Sequence, residues 1–266
     1  MAVDREVRQI RAIFISDVHL GMKPIRVGQL IQFLRAHNAE TIYLVGDILD
    51  GWRLGQSWHW PAEYNELIQI LLDKAIAGTR LVYLPGNHDE FLREYLGTYF
   101  GEIELVDRTI HTTATGKTYL VIHGDQFDVV VMNAKWLAHV GDWAYNAALR
   151  INIAINWVRR RLGLQYWSLS AWAKQKVKNA VSVIGRFEEA LVHEAKETGV
   201  DGVICGHIHF ADMHDRLGIH YINTGDWVES CTAIVENCDG AFELIKWTDM
   251  VAGQPRKLRL RRAASQ

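Results

Sequence analysis

The sequence predicts an α/β protein: two β-sheets packed face to face, helices on their outer faces, and a helical insertion late in the chain. Two observations predict it. Strand-like and helix-like stretches alternate up to residue 96 and then give way to consecutive strands. Five short apolar runs also end alike, in Asp, Asn or His: Phe14-Ile15-Ser16-Asp17-Val18-His19, Tyr43-Leu44-Val45-Gly46-Asp47, Leu84-Pro85-Gly86-Asn87-His88-Asp89, Ile122-His123-Gly124-Asp125 and Cys205-Gly206-His207-Ile208-His209. Buried strands that each deliver such a side chain at one end bring those ends to one point.

Taken in order, residues 11–16 read as the first buried strand. Residues 27–37 follow as an amphipathic helix with Leu30, Ile31 and Leu34 on one side. A strand at 41–45, a helix at 65–77 stopped by Gly78, and a strand at 80–84 continue the alternation. Residues 89–96 form a short helix entered from the Asn-His-Asp turn. Strands at 103–106, 109–113 and 117–122 come next, and strands resume at 202–205, 219–223, 232–235 and 241–247.

Residues 129–185 differ from the rest. They hold five of the ten tryptophans, eight Lys or Arg and a single acid, Asp142. Trp136, Val140, Trp143, Ala147, Ile151 and Ile155 recur at helical spacing. Ser170 caps a second helix whose stripe is Val177, Val181, Ile184, Phe187 and Leu191. The core is therefore discontinuous, 1–128 with 186–249, and the insertion lies over the strand ends. The remainder, 250–266, carries Arg256, Lys257, Arg259, Arg261 and Arg262 without an acid and reads as disordered.

A formal net charge of -2 over 266 residues argues against a general nucleic-acid coat. No run is apolar and long enough to span a bilayer, and Met1–Glu6 shows no apolar signal core, so the expected setting is the cytoplasm. Cys205, Cys231 and Cys238 form no CxxC pair; the first two sit in apolar runs and read as reduced core residues.

The polar strand ends supply Asp17, His19, Asp47, Asn87, His123, His207 and His209, seven oxygen or nitrogen donors and no thiolate. So many carboxylates and imidazoles converge only around positive charge. One metal rarely takes seven side chains, whereas two sharing a bridging carboxylate do, and such a pair can clamp a phosphate. The donors favour Mn, Fe or Zn. A lone histidine is more often a packed structural residue, and His37, His59, His111, His139, His193, His214 and His220 keep that reading. For the set it fails, because five motifs in order rarely arise by chance.

Asp-x-His, Gly-Asp-x-x-Asp, Gly-Asn-His-Asp, His-Gly-Asp and Gly-His-x-His, spanning Asp17 to His209, resemble the calcineurin-like metallophosphoesterases. The resemblance implies an α/β/β/α sandwich with two divalent ions. Asp17, His19, Asp47 and His209 would hold one, and Asp47, Asn87, His123 and His207 the other. His88 would stand beside the scissile phosphate, oriented by Asp89 or Asp50. Within the superfamily the nearest group is the UDP-2,3-diacylglucosamine hydrolases, which use manganese and release UMP and a lipid phosphate. The likeness lies in block order and spacing, the insertion, and the His-Gly-Asp start followed by Asp128. By position, Asn87, Asp125, Asp128, Lys174 and Lys178 would hold sugar and phosphates. One departure is His88, where the best-known members carry arginine, whose planar fork a histidine does not copy.

Lys174 and Lys178, four residues apart with Lys176 nearby, repel weakly on one helical face and suit an anion; a solvated basic face is an equal reading. Tryptophans on a basic insertion fit a lipid ligand or a membrane surface, with Arg159-Arg160-Arg161 and the basic tail attracted to an anionic leaflet. Packing of the tryptophans onto the sandwich is the plain alternative. The expected partner is a lipid-like nucleotide diphosphate, not a nucleic acid. Two further readings stand: a soluble nucleotide or protein phosphodiesterase or phosphatase, and a non-catalytic scaffold, disfavoured because all seven donors are kept.

Overall fold

The computed structural model describes residues 7–23, 25–127 and 169–248, with side chains for all of these but 169–183. The first insertion helix, four of its tryptophans, Asp128 and the basic tail lie outside the described residues, as do the side chains of Trp172, Lys174 and Lys178.

Two sheets form the body. Strands β1 (Arg8–Ile15), β2 (His37–Val45), β3 (Arg80–Leu84), β4 (Tyr99–Phe100), β5 (Ile103–Leu105), β11 (Thr232–Glu236) and β12 (Phe242–Lys246) make the first, in the order β12-β11-β1-β2-β3-β5-β4. Strands β6 (Arg108–Thr112), β7 (Thr118–Ile122), β8 (Gly202–Cys205), β9 (Asp212–Arg216) and β10 (Ile219–Asn223) make the second, in the order β6-β7-β8-β10-β9. β1, β2, β3 and β5 are mutually parallel, and so are β7, β8 and β10. Helices α1 (Val27–Ala36), α2 (Gly51–Gln56) and α3 (Ala62–Ile76) fall in the crossovers between the first parallel strands.

Alternate residues of each central strand face opposite layers. Ala12, Phe14, Tyr43, Val45, Val82 and Leu84 meet Tyr119, Val121, Ile204 and Ile222 between the sheets. Ile13, Ile15, Ile42, Leu44 and Leu81 turn outward onto Leu30, Phe33, Leu34 and Leu67 of α1 and α3. On the far side Leu120, Ile122, Val203, Cys205 and Tyr221 pack under Phe187, Leu191 and Ala195 of α4 (Leu169–Thr198). Both faces of every central strand are thus buried, so these strands read as continuous apolar runs rather than alternating ones.

The structure differs from expectation where pairing overrides composition. β2 begins at His37, four residues early, because His37–Thr41 continue the ladder along Arg8–Ala12. The polar strand Asp212–Arg216 was not expected; it is an edge strand recruited by pairing with Ile219–Asn223. α2 was also missed, although Asp50 caps it by accepting from the Arg53 amide at 2.9 Å. Residues 89–96 make a 3-10 turn over Glu90–Tyr95 rather than an α-helix. The boundary expected between 185 and 186 falls inside α4, a continuous 30-residue helix.

Candidate metal centre

All the parallel strands that carry donors end on one side, and the donors follow at once. The geometry is tight enough to strain the backbone. Asp17, His19, Asp47, His207 and His209 have φ between 52° and 72°, a region non-glycine residues avoid at about 1–3 kcal/mol each. Cross-links hold them there. Asp17 N donates to Gly46 O at 3.0 Å, His19 N to Asp47 O at 2.9 Å, and Gly206 N to His123 O at 3.1 Å. His207 N donates to Asp17 Oδ2 at 2.9 Å and His88 N to Asp47 Oδ1 at 2.8 Å. Glycine is required beside the donors: a Cβ on Gly46, which has φ +79°, would overlap the His123 ring, and one on Gly86 would overlap Asp47 Oδ1.

The donors fall into two groups joined by Asp47. Asp17, His19 and His209 form one, with His209 Nε2 3.1 Å from Asp17 Oδ1 and 3.3 Å from His19 Nε2. Asp47, His123 and His207 form the other, with His123 Nε2 3.5 Å from Asp47 Oδ2. The same Asp47 oxygen lies 3.9 Å from His19 Nε2, so one carboxylate reaches both groups. His123 Nδ1 donates to Val45 O at 2.8 Å, which turns Nε2 toward the centre. Asn87 Oδ1 and His123 Nε2 are buried with no hydrogen-bond partner. Buried acceptors left unpaired, next to ionised carboxylates, fit divalent cations.

The electrostatics agree. Burial alone would push the His123 pKa down, but Asp47 and Asp17 raise it to about 10. Burial likewise opposes His19, which Asp17 and Asp50 raise to about 9. Burial would lift Asp47, yet His123 holds it at about 2, and Asp17 stays well below the carboxylate range against its burial because of His209 and His19. The pocket selects positive charge, which protons on imidazole supply when no cation does.

His88 lies at the edge of this centre. Its ring packs at 4.5 Å from His19 and 4.1 Å from Trp52, and its Nδ1 is 3.2 Å from Asp50 Oδ1. Asp89 points elsewhere. It is fully buried and accepts from the amides of Ile48 at 2.8 Å and Gly86 at 2.6 Å and from the Tyr83 hydroxyl at 2.6 Å. Asp89 therefore ties the Asp47 turn to the Asn87 turn, and only Asp50 faces His88.

The calcineurin-like phosphoesterase family pattern matches residues 10–211. The chain belongs to that family. Among curated proteins it is 30% identical to a UDP-2,3-diacylglucosamine hydrolase of Chromohalobacter salexigens, over 81% of this chain and 88% of that protein. It is 27% identical to the Haemophilus influenzae protein of that name, over 88% of this chain and 98% of the other. The Neisseria meningitidis protein of that name is 28% identical over 86% and 95%. This phosphoesterase is thus a hydrolase of phosphoester or phosphoanhydride bonds, built on two sheets.

In the phosphoesterase, Asp125 is not a free acceptor. Both its oxygens lie 2.8 Å from Arg93 Nη2. Sequence reasoning missed Arg93, Trp52 and Tyr83. Nothing in the sequence marks the first two, whereas Tyr83, one residue before the Leu-Pro-Gly turn, is a buried phenol in need of an acceptor. Elsewhere Glu188, Asp212 and His214 cluster, with Arg216 donating to Glu188 and Glu189, so this group joins α4 to β9. No helix among the described residues is long and apolar enough to cross a membrane.

Proposed function

We propose that this phosphoesterase cleaves the pyrophosphate of UDP-2,3-diacylglucosamine, or of a closely related lipid-linked nucleotide diphosphate, releasing UMP and a lipid phosphate. The observation that carries the reading is the extent of the match to proteins named for that substrate. An alignment over 81% of 266 residues spans the positions of the insertion, 129–185, as well as the core.

Asp17, His19, Asp47 and His209 would hold one cation, and Asp47, Asn87, His123 and His207 a second, with manganese the proposed ion. When bound, such a pair supplies Lewis acidity toward phosphate oxygens and makes water acidic enough to attack at neutral pH. The chain's own residues do the rest. Asp50 stands beside the His88 ring as its ion-pair partner and Trp52 backs it, and His88 would meet charge on the phosphate or give a proton to the leaving oxygen. Asp89 keeps the Asn87 and Asp47 turns in register. Lys174, Lys178 and Asp128 are proposed to meet the phosphates and sugar, and the basic insertion and tail to favour the anionic cytoplasmic leaflet.

His88 in place of arginine gives a second reading some weight, since a single imidazole suits simpler soluble diesters as well. A substrate panel with manganese separates the two. UDP-2,3-diacylglucosamine should turn over with UMP as product and with a higher kcat/KM than bis-p-nitrophenyl phosphate. Turnover of soluble esters alone would sink the lipid reading and leave the phosphoesterase.

A further inference from the structure

Beside the second donor group stands an ion pair whose two members are not donors themselves, Arg93 with Asp125. Arg93 belongs to the 3-10 turn that follows Asn87 and His88. Its Nη2 reaches both oxygens of Asp125 at 2.8 Å and Pro85 O at 3.2 Å, and its Nε lies 3.7 Å from Asp107 Oδ1. Asp125, two residues after His123, is 9% exposed, so the pair is shielded on that side. Pro85 closes the exit of β3 in the first sheet, and Asp125 opens the exit of β7 in the second. One guanidinium therefore straps the turn carrying Asn87 to the turn carrying His123, across the gap between the sheets. Each of those turns presents a buried side-chain atom without a hydrogen-bond partner, Asn87 Oδ1 on one and His123 Nε2 on the other. The other group is held differently: Ser16 donates to Asp17 and meets Thr224 Oγ1 at 2.6 Å, and His207 N donates to Asp17.

We infer that Arg93 and Asp125 are a positioning pair for the second cation position, the one formed by Asp47, Asn87, His123 and His207. This deepens the dinuclear reading and rests on it. It also reassigns Asp125, placed with the sugar and phosphates on sequence grounds, to a structural partner of the ligand turns. A carboxylate whose two oxygens both face Arg93 Nη2 is oriented by that arginine and not free to turn toward a sugar. Loss of an outer partner of metal ligands lowers affinity by about 10–100-fold when the ligands themselves remain. Asp89 still ties the Asn87 turn to the Asp47 turn, so the strap's removal loosens one position without collapsing the loop.

The test is Mn²⁺ titration by calorimetry on full-length chain stripped with EDTA, comparing wild type with Arg93→Gln, Asp125→Asn and the charge-reversed Arg93→Asp/Asp125→Arg double variant. Metal-free thermal unfolding serves as the control for folding. Wild type should take two ions per chain. In each single variant one binding step should weaken by about 10–100-fold while the other stays within about threefold, and the double variant should recover part of the loss. Both steps unchanged, or both weakened together with a lower metal-free melting temperature, overturns the assignment and leaves the dinuclear reading standing. A single ion on wild type overturns both. Because no substrate enters the measurement, its failure is distinct from failure of the lipid reading.

Discussion

Asp50 Oδ1 lies 3.2 Å from Nδ1 of His88, on a side chain that also caps α2. That ion-pair contact sets a carboxylate beside the ring, which also packs at 4.1 Å from its other neighbour, Trp52. His88→Asn should lower kcat by roughly 10²–10⁴-fold while the chain keeps its metal content. Asp50→Asn should fall between wild type and His88→Asn. Steady-state kinetics with metal analysis on the same samples checks this; loss of metal in His88→Asn would make the histidine a ligand instead.

Asp47 reaches both donor groups, with His123 at 3.5 Å and His19 at 3.9 Å from its Oδ2. Asp47→Ala should abolish turnover and metal occupancy together. Two ions per chain in the purified variant, measured by plasma emission, would contradict the bridging role.

Gly86 has no need of a left-handed backbone, yet its missing Cβ is filled space. A methyl there would overlap Asp47 Oδ1 and come within 2.6 Å of His123 Nε2. Gly86→Ala should therefore bind metal poorly and lower the metal-free melting temperature through overpacking alone. Gly46→Ala adds strain at φ +79° and should lose more stability still. Equal melting temperatures for the two variants would show that backbone strain is not the difference.

Far from the centre, His111 Nε2 donates to Glu236 at 2.7 Å and Nδ1 accepts from the Tyr43 hydroxyl at 3.1 Å. Burial outweighs Glu236 and lowers its pKa below the ordinary 6.5. The unfolded chain then binds this proton at higher pH than the folded one. The contribution is complete above the unfolded value and is lost as pH falls toward the folded one. Denaturant melts of wild type and His111→Gln should show a stability gap that narrows from about pH 7.5 to about pH 5. A gap independent of pH would mean that His111 does not titrate in this way.

Lys174 and Lys178 sit one turn apart on α4. Replacing both with alanine should raise KM for an anionic lipid substrate more than for a small aryl phosphate. Equal effects would assign them to a solvated face.

The convergence of the candidate donors was legible because each sits in a short motif at the end of an apolar run, and a strand end is the one place where sequence position and spatial position nearly coincide. His88 was legible for the same reason. The division of labour between Asp50 and Asp89 was not. Both are three residues or fewer from a donor, and only the backbone turn decides that Asp89 points into five hydrogen bonds and Asp50 toward imidazole. The Asp212–Arg216 strand escaped notice because an edge strand takes its conformation from its neighbour's hydrogen bonds, not from its own polar side chains.

By itself the sequence determined the fold class, most of the strands along the chain and the seven candidate donors, since those follow from local apolar runs and the residues that stop them. Only the tertiary structure decided that Asp47 stands between two groups, that Arg93 takes Asp125 away from solvent, and that Trp52 backs His88. Those relations join residues on different strands and different sheets, and their distances are set by how the two sheets pack, a quantity that no stretch of the chain encodes alone.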